Sequence, residues 1–268
     1  MTDSIPTYGT LLLTRQGRRL TITLNRPELL NACNLAMHEE LAEVFVFAAR
    51  DPHSDVVVLT GAGRAFSAGG DMQHITRNAA NPELFDWEAR CAKRIVFSML
   101  DLDKPLVCRL NGHAVGLGAT LALLCDTIYA ADSAKIGDPH VNIGLVAGDG
   151  GAAIWAQRIG LGRAKEYLMT GELLTAAKAE AIGLVNRSVP AAELDAVVDA
   201  HCDRLLATST NALRWTKVLM NLELKRIAHA VLDAGVAYES LSVRSPEHRA
   251  AVQALVDKQA AASSRKPG

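Results

Sequence analysis

Two glycine-rich segments of the chain have residue types that could hold a negatively charged oxygen. They read GAGRAFSAGGD at 61–71 and NGHAVGLG at 111–118, and each follows a strand-like run and precedes a helical pattern. The first N–H groups of a helix have no partner within it, and glycine allows a ligand to approach the backbone closely. A single such turn predicts at most a phosphate or carboxylate site. Two turns that aim one N–H each at a shared point would form an oxyanion hole, suited to a thioester carbonyl that becomes an enolate.

Hydrophobic patterning predicts the elements that position these turns. Residues 11–14 and 20–24 have strand patterns on either side of a short glycine turn, which predicts a hairpin. Asn34 is placed to cap the helix that follows. That helix carries an apolar stripe at helical spacing, formed by Leu41, Val44, Phe45 and Ala48.

Strand, glycine turn and helix then recur along the chain. The runs at 56–60, 105–110 and 127–130 predict strands, and 119–125 predicts a short apolar helix. A third glycine-rich stretch, GLVAGDGG at 144–151, precedes another helix. Strands that alternate with helices predict an α/β architecture.

The strand patterns stop after Pro190. Amphipathic helical patterns run from there to about Lys258. We therefore predict two domains, a core at 1–195 that holds the site and a helical subdomain at 196–268 that serves oligomerisation or covers the site as a lid. The last residues, 261–268, are predicted to fray.

Composition excludes several classes of function. The chain has 268 residues, and its 28 basic and 29 acidic residues form no long run of one sign, which argues against a nucleic-acid partner. The five cysteines show no C-x-x-C spacing, so we expect neither a disulfide framework nor a metal site. The N-terminus lacks the pattern of a signal peptide, and no apolar stretch is long enough for a membrane partner. We expect a cytoplasmic protein.

Five segments, in order, resemble the signature segments of the crotonase (enoyl-CoA hydratase/isomerase) superfamily. They are ITLNRPELLNACN, GAGRAFSAGGDM, LNGHAVGLGATLALLCDTIYAADSAKIG, GLVAGDGG and AKEYLMTGELLTAAKAEAIGLVNRSV. The resemblance covers about residues 20–190. It implies a spiral of repeated ββα units with an all-helical C-terminal subdomain, and an enzyme of fatty acid metabolism that acts on acyl-CoA thioesters.

The resemblance also implies binding residues. The oxyanion-hole donors would be the backbone N–H groups of Ala68 and Leu117. Contacts with coenzyme A are implied for Arg26, Ala32, Cys33, Ala68, Gly70, Asp71 and Met72. Two of these have structural alternatives, because Arg26 could be a surface or structural arginine and Asp71 could start a helix. Coenzyme A would arrive as part of the substrate, and no permanent cofactor is expected.

The chain departs from the family at the two positions where hydratases carry glutamates. Thr120 stands at the first and His140 at the second. The hydroxyl of Thr120 cannot act as a general base near neutral pH, although it could position water. His140 could be the base, because the ordinary pKa of histidine lies near neutrality. Its structural alternative is a loop histidine held by hydrogen bonds.

Asp149, in the segment GDGG, is the other catalytic candidate. Family members that isomerise double bonds or remove halogens carry an aspartate at or beside this point, as a proton shuttle or nucleophile. The alternative is a helix N-cap. Asp149 and His140 could form an acid–base pair if they meet in space. Asp138 is a third candidate, interpreted first as a turn residue before Pro139.

Four further polar residues are given structural roles at this stage. Glu166 and Glu239 are interpreted as surface or interface residues. His74 and His113, which lie beside the two glycine turns, are interpreted as structural histidines.

Three functional hypotheses follow. The first is an enoyl-CoA hydratase/isomerase-like lyase in which Thr120, His140 and Asp149 replace the hydratase glutamates. The second is a crotonase-fold isomerase, thioester hydrolase or dehalogenase that uses Asp149. The third is a non-catalytic acyl-CoA binding protein with a decayed site. The resemblance further implies a homotrimer or a dimer of trimers.

Overall fold

The protein is built around a mostly parallel sheet. The structure, a computed structural model, describes residues 4–264, without the side chains of 259, 260 and 262–264. The main sheet contains β1 (Leu11–Gln16), β2 (Arg19–Leu24), β3 (Val56–Gly61), β4 (Leu106–Leu110), β6 (Thr127–Ala131) and β9 (Arg187–Val189). Its strand order is β1-β2-β3-β4-β6-β9, and every pair except β1–β2 is parallel.

A smaller sheet lies beside the second glycine turn. It contains β5 (Ala114–Val115), β7 (Lys135–Gly137) and β8 (Leu174–Thr175) in the order β5-β7-β8. Its central strand ends one residue before Asp138, so this sheet positions the segment that carries His140.

Ten helices surround the sheets within the described residues. Those of the core are α1 (Leu35–Arg50), α2 (Met72–Ala80), α3 (Phe85–Asp101), α4 (Leu117–Leu124), α5 (Gly151–Ile159), α6 (Leu161–Thr170) and α7 (Ala176–Ala181). Those of the C-terminal end are α8 (Leu194–Leu206), α9 (Thr210–Val243) and α10 (Pro246–Ser264). Short 3-10 helices span Pro27–Leu29, Pro82–Leu84, His140–Ile143 and Ala191–Glu193.

Local sequence signals account for the N-terminal elements. The predicted hairpin is confirmed, with Leu11 opposite Leu24 in an antiparallel pair. The side chain of Asn34 accepts a hydrogen bond from the Met37 N–H at 2.9 Å, which confirms the predicted N-cap. The four residues of the predicted apolar stripe on α1 are all fully buried.

The sheet has a hydrophobic core on each face because side chains alternate along a strand. Val57 and Leu59 of β3 belong to the larger core, whereas Val56 and Val58 face the smaller one. The smaller core is completed by apolar residues of α8, among them Val198. The predicted domain boundary at 195/196 therefore falls inside a helix that packs against the sheet.

The rest of the helical end also packs on the core. Helix α9 contacts α3 and α5, and α10 contacts α2. The α/β class with C-terminal helices is as predicted. Within 4–264, no helix combines the length and the apolar character needed to cross a bilayer, and residues 265–268 of the tail predicted to fray lie outside the described part.

Candidate active site

The two glycine turns are joined by backbone hydrogen bonds. The Ser67 N–H donates to the His113 carbonyl at 3.0 Å, and the Val115 N–H donates to the Ser67 carbonyl at 3.0 Å. Gly69 and Gly116 have φ angles of 87° and 55°, a region that favours glycine. A Cβ added to Gly69 would lie 2.8 Å from the Val115 carbonyl oxygen. The two turns therefore touch, as an oxyanion hole requires.

The first turn presents a different N–H from the one that the sequence predicts. The Ala68 N–H donates to the Leu30 carbonyl at 2.9 Å, so it is engaged and does not face a substrate. Both neighbours of Gly70 bond to Cys33, in the pattern of a parallel bridge. In such a bridge the intervening residue turns its own N–H to the opposite side. The Gly70 N–H has no acceptor among residues 4–264, and Gly70 lines the cavity described next.

The second turn presents the N–H of Leu117. Leu117 is the first residue of α4, so its N–H has no partner within the helix. Its side chain is buried, and the residue lines the same cavity as Gly70. The resemblance implies the same N–H as the donor of the second turn, and its role as an oxyanion-hole donor stays a prediction.

A cavity of about 370 Å³ lies in front of both turns. Its walls come from α2, α3, the 139–149 segment and the helical end of the chain. Most of the lining is apolar, including Met72, Ile75, Phe85 and Val243. Such a cavity, with few polar groups, is typical of a small-molecule site.

His140 stands in this cavity with one ring nitrogen held. Its Nδ1 is hydrogen-bonded to Oδ1 of Asp138, and its backbone N–H donates to the same oxygen at 3.3 Å. Its Nε2 lies 3.9 Å from Oδ2 of Asp149. The structure therefore brings His140 and Asp149 together. Asp138 is fully buried and bonds to the imidazole, so the structure favours a role in the site in addition to the turn before Pro139.

Asp149 is buried between His140 and the start of α5. Its Oδ1 accepts a hydrogen bond from Thr120 Oγ1 at 3.3 Å, and Gly151 N–H lies 3.4 Å away. The N-cap position of α5 belongs to Gly150, not to Asp149. Thr120 has no exposed surface, so it contacts Asp149 and not the cavity.

The charges around His140 shift several pKa values. Burial lowers the pKa of His140, but the carboxylates of Asp138 and Asp149 outweigh it and raise this pKa well above its usual range. Burial raises the pKa of Asp149, and the charge of Asp138 raises it further. The pair can thus hold a proton on His140 and exchange it with Asp149.

Glu239 of α9 is a site residue that sequence reasoning missed. It was interpreted as a surface or interface residue, but it is 4% exposed and lines the cavity. Burial, followed by the charge of Asp149, raises its pKa well above the usual range. The buried positions of α9 include Leu232, Gly235, Glu239 and Val243, a helical spacing. A glutamate within such a stripe is the signal that could have found it.

Three of these residues could also be considered as metal ligands. Asp138, His140 and Asp149 each offer one ligand atom, and these atoms lie within 4.8 Å of one another. The imidazole itself lies between the two carboxylates, with Nδ1 bonded to Asp138 and Nε2 towards Asp149. This arrangement suits proton transfer.

Comparison with known proteins identifies the family. The family model described as enoyl-CoA hydratase/isomerase matches residues 15–262. The chain belongs to the enoyl-CoA hydratase/isomerase family. The crotonase resemblance and the predicted fold class are therefore confirmed.

Relatives and solved structures agree with the family. The 2,3-dehydroadipyl-CoA hydratase of Escherichia coli is 32% identical over 85% of this chain and 87% of its own. An enoyl-CoA hydratase/isomerase structure from Mycobacterium paratuberculosis has a TM-score of 0.87 and 37% identity, covering 91% of this chain and 97% of its own. A β-diketone hydrolase of the cyanobacterium Anabaena, bound to (S)-3-oxocyclohexyl acetic acid, has a TM-score of 0.79 and 29% identity, covering 88% and 95%.

The residues that the family implies for coenzyme A are mostly engaged within the fold. Arg26 donates to the Ala32 carbonyl and forms an ion pair of 2.9 Å with Asp71. Asp71 caps α2 through its side chain, as the structural alternative predicts. Cys33 is fully buried, and burial raises the pKa of its thiol to about 12. Of the seven predicted contacts, Ala68, Gly70 and Met72 line the cavity.

Proposed function

We propose that this chain is an acyl-CoA enzyme that adds water to an α,β-unsaturated thioester. The N–H groups of Gly70 and Leu117 hold the thioester oxygen, and His140 and Asp149 transfer the protons. The observation that carries this proposal is the position of the His140 ring. Its Nε2 lies between Asp149 and the second turn, 3.6 Å from where a Cβ on Gly116 would be.

The directions of the pKa shifts assign the two roles. Because the pKa of His140 is raised, its imidazolium is the acid. The Asp149 carboxylate is the base, and its raised pKa brings it closer to the working pH. Asp149 takes one proton from water as the oxygen bonds to the β-carbon. The electron pair of the double bond moves into the enolate, whose oxygen is stabilised by the two N–H groups. His140 then protonates the α-carbon, which completes a 3-hydroxyacyl thioester.

The test is the absorbance of the conjugated thioester with short and medium trans-2-enoyl-CoAs. We expect the wild type to consume this absorbance and to form the hydrated product, and His140→Ala and Asp149→Asn to lose at least a hundredfold in rate. His53→Ala, a change at an exposed histidine before β3, is the matched control. Binding of the enoyl-CoA without loss of its absorbance would rule out hydration and favour isomerisation, thioester hydrolysis or a binding role.

A second candidate is the hydrolysis of a 1,3-diketone. It is supported by Thr120 and His140 at the positions where the resemblance implies the hydratase glutamates, and by the similarity to the Anabaena β-diketone hydrolase. Asp149 would deprotonate water, which attacks one carbonyl carbon. The carbon–carbon bond then breaks, and its electron pair forms the enolate of the other carbonyl in the oxyanion hole. Protonation of this enolate by His140 gives a ketone and a carboxylic acid.

The two candidates are separated by their substrates. A cyclic 1,3-diketone loses its enol absorbance on cleavage, and NMR identifies the keto acid that forms. Turnover of the diketone, with none of the enoyl-CoA panel, would select the second candidate. The reverse result would select hydration.

We also propose that the chain assembles as a homotrimer or a dimer of trimers. This is supported by large apolar side chains that α9 leaves exposed, namely Trp215, Leu219, Met220, Leu222, Tyr238 and Leu241. Sedimentation equilibrium tests this proposal, and a monomeric mass at micromolar concentration would reject it.

A further inference from the structure

The cavity has a second polar patch that the proposed reaction does not use. It consists of His38 on α1, Asn78 on α2 and Glu88 on α3, which line the cavity, and of His74 on α2, which is hydrogen-bonded to Glu88. We refer to these four residues as the polar wall. Buried polar groups in an otherwise apolar cavity are costly unless they are paired. The partners of each group therefore indicate what the wall can bind.

Glu88 is the anion of the polar wall. Its Oε2 accepts hydrogen bonds from Nε2 of His74 at 2.5 Å and from Nδ2 of Asn78 at 2.7 Å. Burial raises the pKa of Glu88, but the charge of His38 and the bond from His74 outweigh it, so this pKa lies below its ordinary value. The carboxylate is therefore ionised, and it can only accept hydrogen bonds.

Arg77 compensates this charge through His74. The guanidinium of Arg77 donates to Nδ1 of His74 at 2.9 Å, so the single ring proton of His74 sits on Nε2 and points at Glu88. The cation, the neutral ring and the carboxylate form one chain of hydrogen bonds. The wall carries no uncompensated anion for a cationic ligand to neutralise.

Two acceptors of the wall remain loosely paired or unpaired. The His38 Nδ1 bonds to the Asn34 carbonyl at 2.9 Å, and because a carbonyl only accepts, this nitrogen carries a proton. Its Nε2 lies 3.4 Å from Oε1 of Glu88, which leaves that oxygen with at most a long contact. Because a carboxylate only accepts hydrogen bonds, the side-chain amide of Asn78 points its NH₂ group at Glu88. The amide oxygen, Oδ1, therefore points away from Glu88 Oε2. This buried Oδ1 has no partner in the described part of the chain.

We propose that the polar wall is a recognition subsite for a hydroxyl group on the acyl part of the substrate. A hydroxyl is a neutral donor that can pair with Glu88 Oε1 or Asn78 Oδ1. A carboxylate would place a second anion beside Glu88 and face acceptors, and a plain alkyl chain would leave these acceptors unpaired. This inference rests on the proposed function, because it describes the acyl group of that thioester.

The test compares binding of matched ligands without turnover. Isothermal titration calorimetry gives Kd values for saturated hexanoyl-CoA, its 4-, 5- and 6-hydroxy forms, and adipoyl-CoA, in which C6 is a carboxylate. We expect one hydroxy form to bind about tenfold more tightly than hexanoyl-CoA, and adipoyl-CoA to bind more weakly than both. Asn78→Leu and Glu88→Gln should remove the preference for the hydroxyl. Arg90→Ala, at an exposed position on α3, should keep it.

A second measurement keeps the subsite separate from the thioester reaction. Histidine ring NMR follows His38 and His74 while hexan-1-ol or its methyl ether is added, with no coenzyme A present. Shifts of these rings with the alcohol alone, lost in Asn78→Leu, would support the subsite even if no acyl-CoA binds and the proposed function fails. Equal Kd values for hexanoyl-CoA and all hydroxy forms, or tighter binding of adipoyl-CoA, would overturn the subsite while leaving the function intact. Equal ring shifts with alcohol and ether would also overturn it.

Discussion

The Nδ1 atom of His140 is hydrogen-bonded to the Oδ1 atom of Asp138, which precedes it by two residues. Because the carboxylate only accepts, Nδ1 carries a proton and Nε2 is the nitrogen that exchanges protons in the cavity. Asp138 thus fixes both the tautomer and the ring position. It acts through His140 and is a positioning residue.

Asp138→Asn is expected to lower kcat by roughly a hundredfold or more, with little change in KM. The amide can donate to Nδ1, which would stabilise the wrong tautomer and turn Nε2 into the protonated nitrogen of a neutral ring. Steady-state kinetics and histidine ring NMR check the two parts of this prediction. Asp132→Asn, at an exposed turn before β7, is the control. Unchanged kcat in Asp138→Asn, with the fold intact, would remove the positioning role.

The pH dependence of kcat/KM should be bell-shaped. Asp149 must be ionised to act as the base, so activity should rise as pH passes its raised pKa. His140 must be protonated to act as the acid, so activity should fall as pH passes its raised pKa, on the alkaline side of the usual histidine range. A profile with no alkaline limb would contradict the role of His140.

Asp149→Asn tests directly what raises the pKa of His140. The change removes one of the anions that raise the pKa of His140, so this pKa should fall, but Asp138 should still hold it up. NMR titration of the His140 ring measures this pKa in the wild type and in Asp149→Asn. An equal midpoint in the two proteins would show that Asp149 does not act on the ring.

Much of the fold was predictable because it depends on local patterns. The hairpin, the Asn34 cap and the buried stripe of α1 follow from short-range spacing, and all are present. The segments that resemble the family also placed His140 and Asp149 near the site. Their contact could not be predicted, because it depends on how the segment after β7 packs against the start of α5.

The residues that sequence reasoning misjudged are those whose role depends on tertiary contacts. Glu239 is the clear case, because it reaches the cavity from a helix far along the sequence. Asp138 is the exception, because its bond to the His140 ring spans only two residues and depends on the local turn at Pro139. Ala68 illustrates a finer limit. Its N–H is taken by the Leu30 carbonyl, whereas the Gly70 N–H, two residues on, has no acceptor among residues 4–264, and this difference is set by how the turn pairs with residues 30–33.

Because the two glycine turns are in contact, we predict that a single methyl group added at Gly69 lowers both stability and kcat. In Gly69→Ala the new Cβ would meet the Val115 carbonyl oxygen at 2.8 Å, in addition to the cost of a positive φ angle. We expect the unfolding free energy to fall by about 1–3 kcal/mol and kcat to fall by roughly a hundredfold, because the turns must move apart.

Gly17→Ala is the matched control for this change. Gly17 also has a positive φ angle, of 56°, but a Cβ there would meet nothing within 4 Å. This variant should lose only about 1 kcal/mol of stability and keep its activity. Equal losses of activity in both variants would show that turn contact is not required for catalysis.

The buried carboxyl of Glu239 predicts a pH dependence of stability. Its pKa in the folded protein is raised well above the ordinary value of 4.5. A group of this kind contributes stability that is fully present below its unfolded pKa and is lost as pH rises through its folded pKa. Relative to Glu239→Gln, the wild type should therefore lose about 1.4 kcal/mol of unfolding free energy per pH unit above about pH 4.5, up to the raised pKa.

Urea unfolding of both proteins at a series of pH values measures this difference. Asp149 and His140 also have raised pKa values, so their contributions to stability also decrease as pH rises. Both residues are present in the wild type and in Glu239→Gln. Glu247→Gln, at an exposed glutamate of α10, should show no such slope. A constant difference between wild type and Glu239→Gln from pH 4.5 to 8 would mean that Glu239 is not held neutral by its burial. It would then be a second anion that lines the cavity together with Asp149.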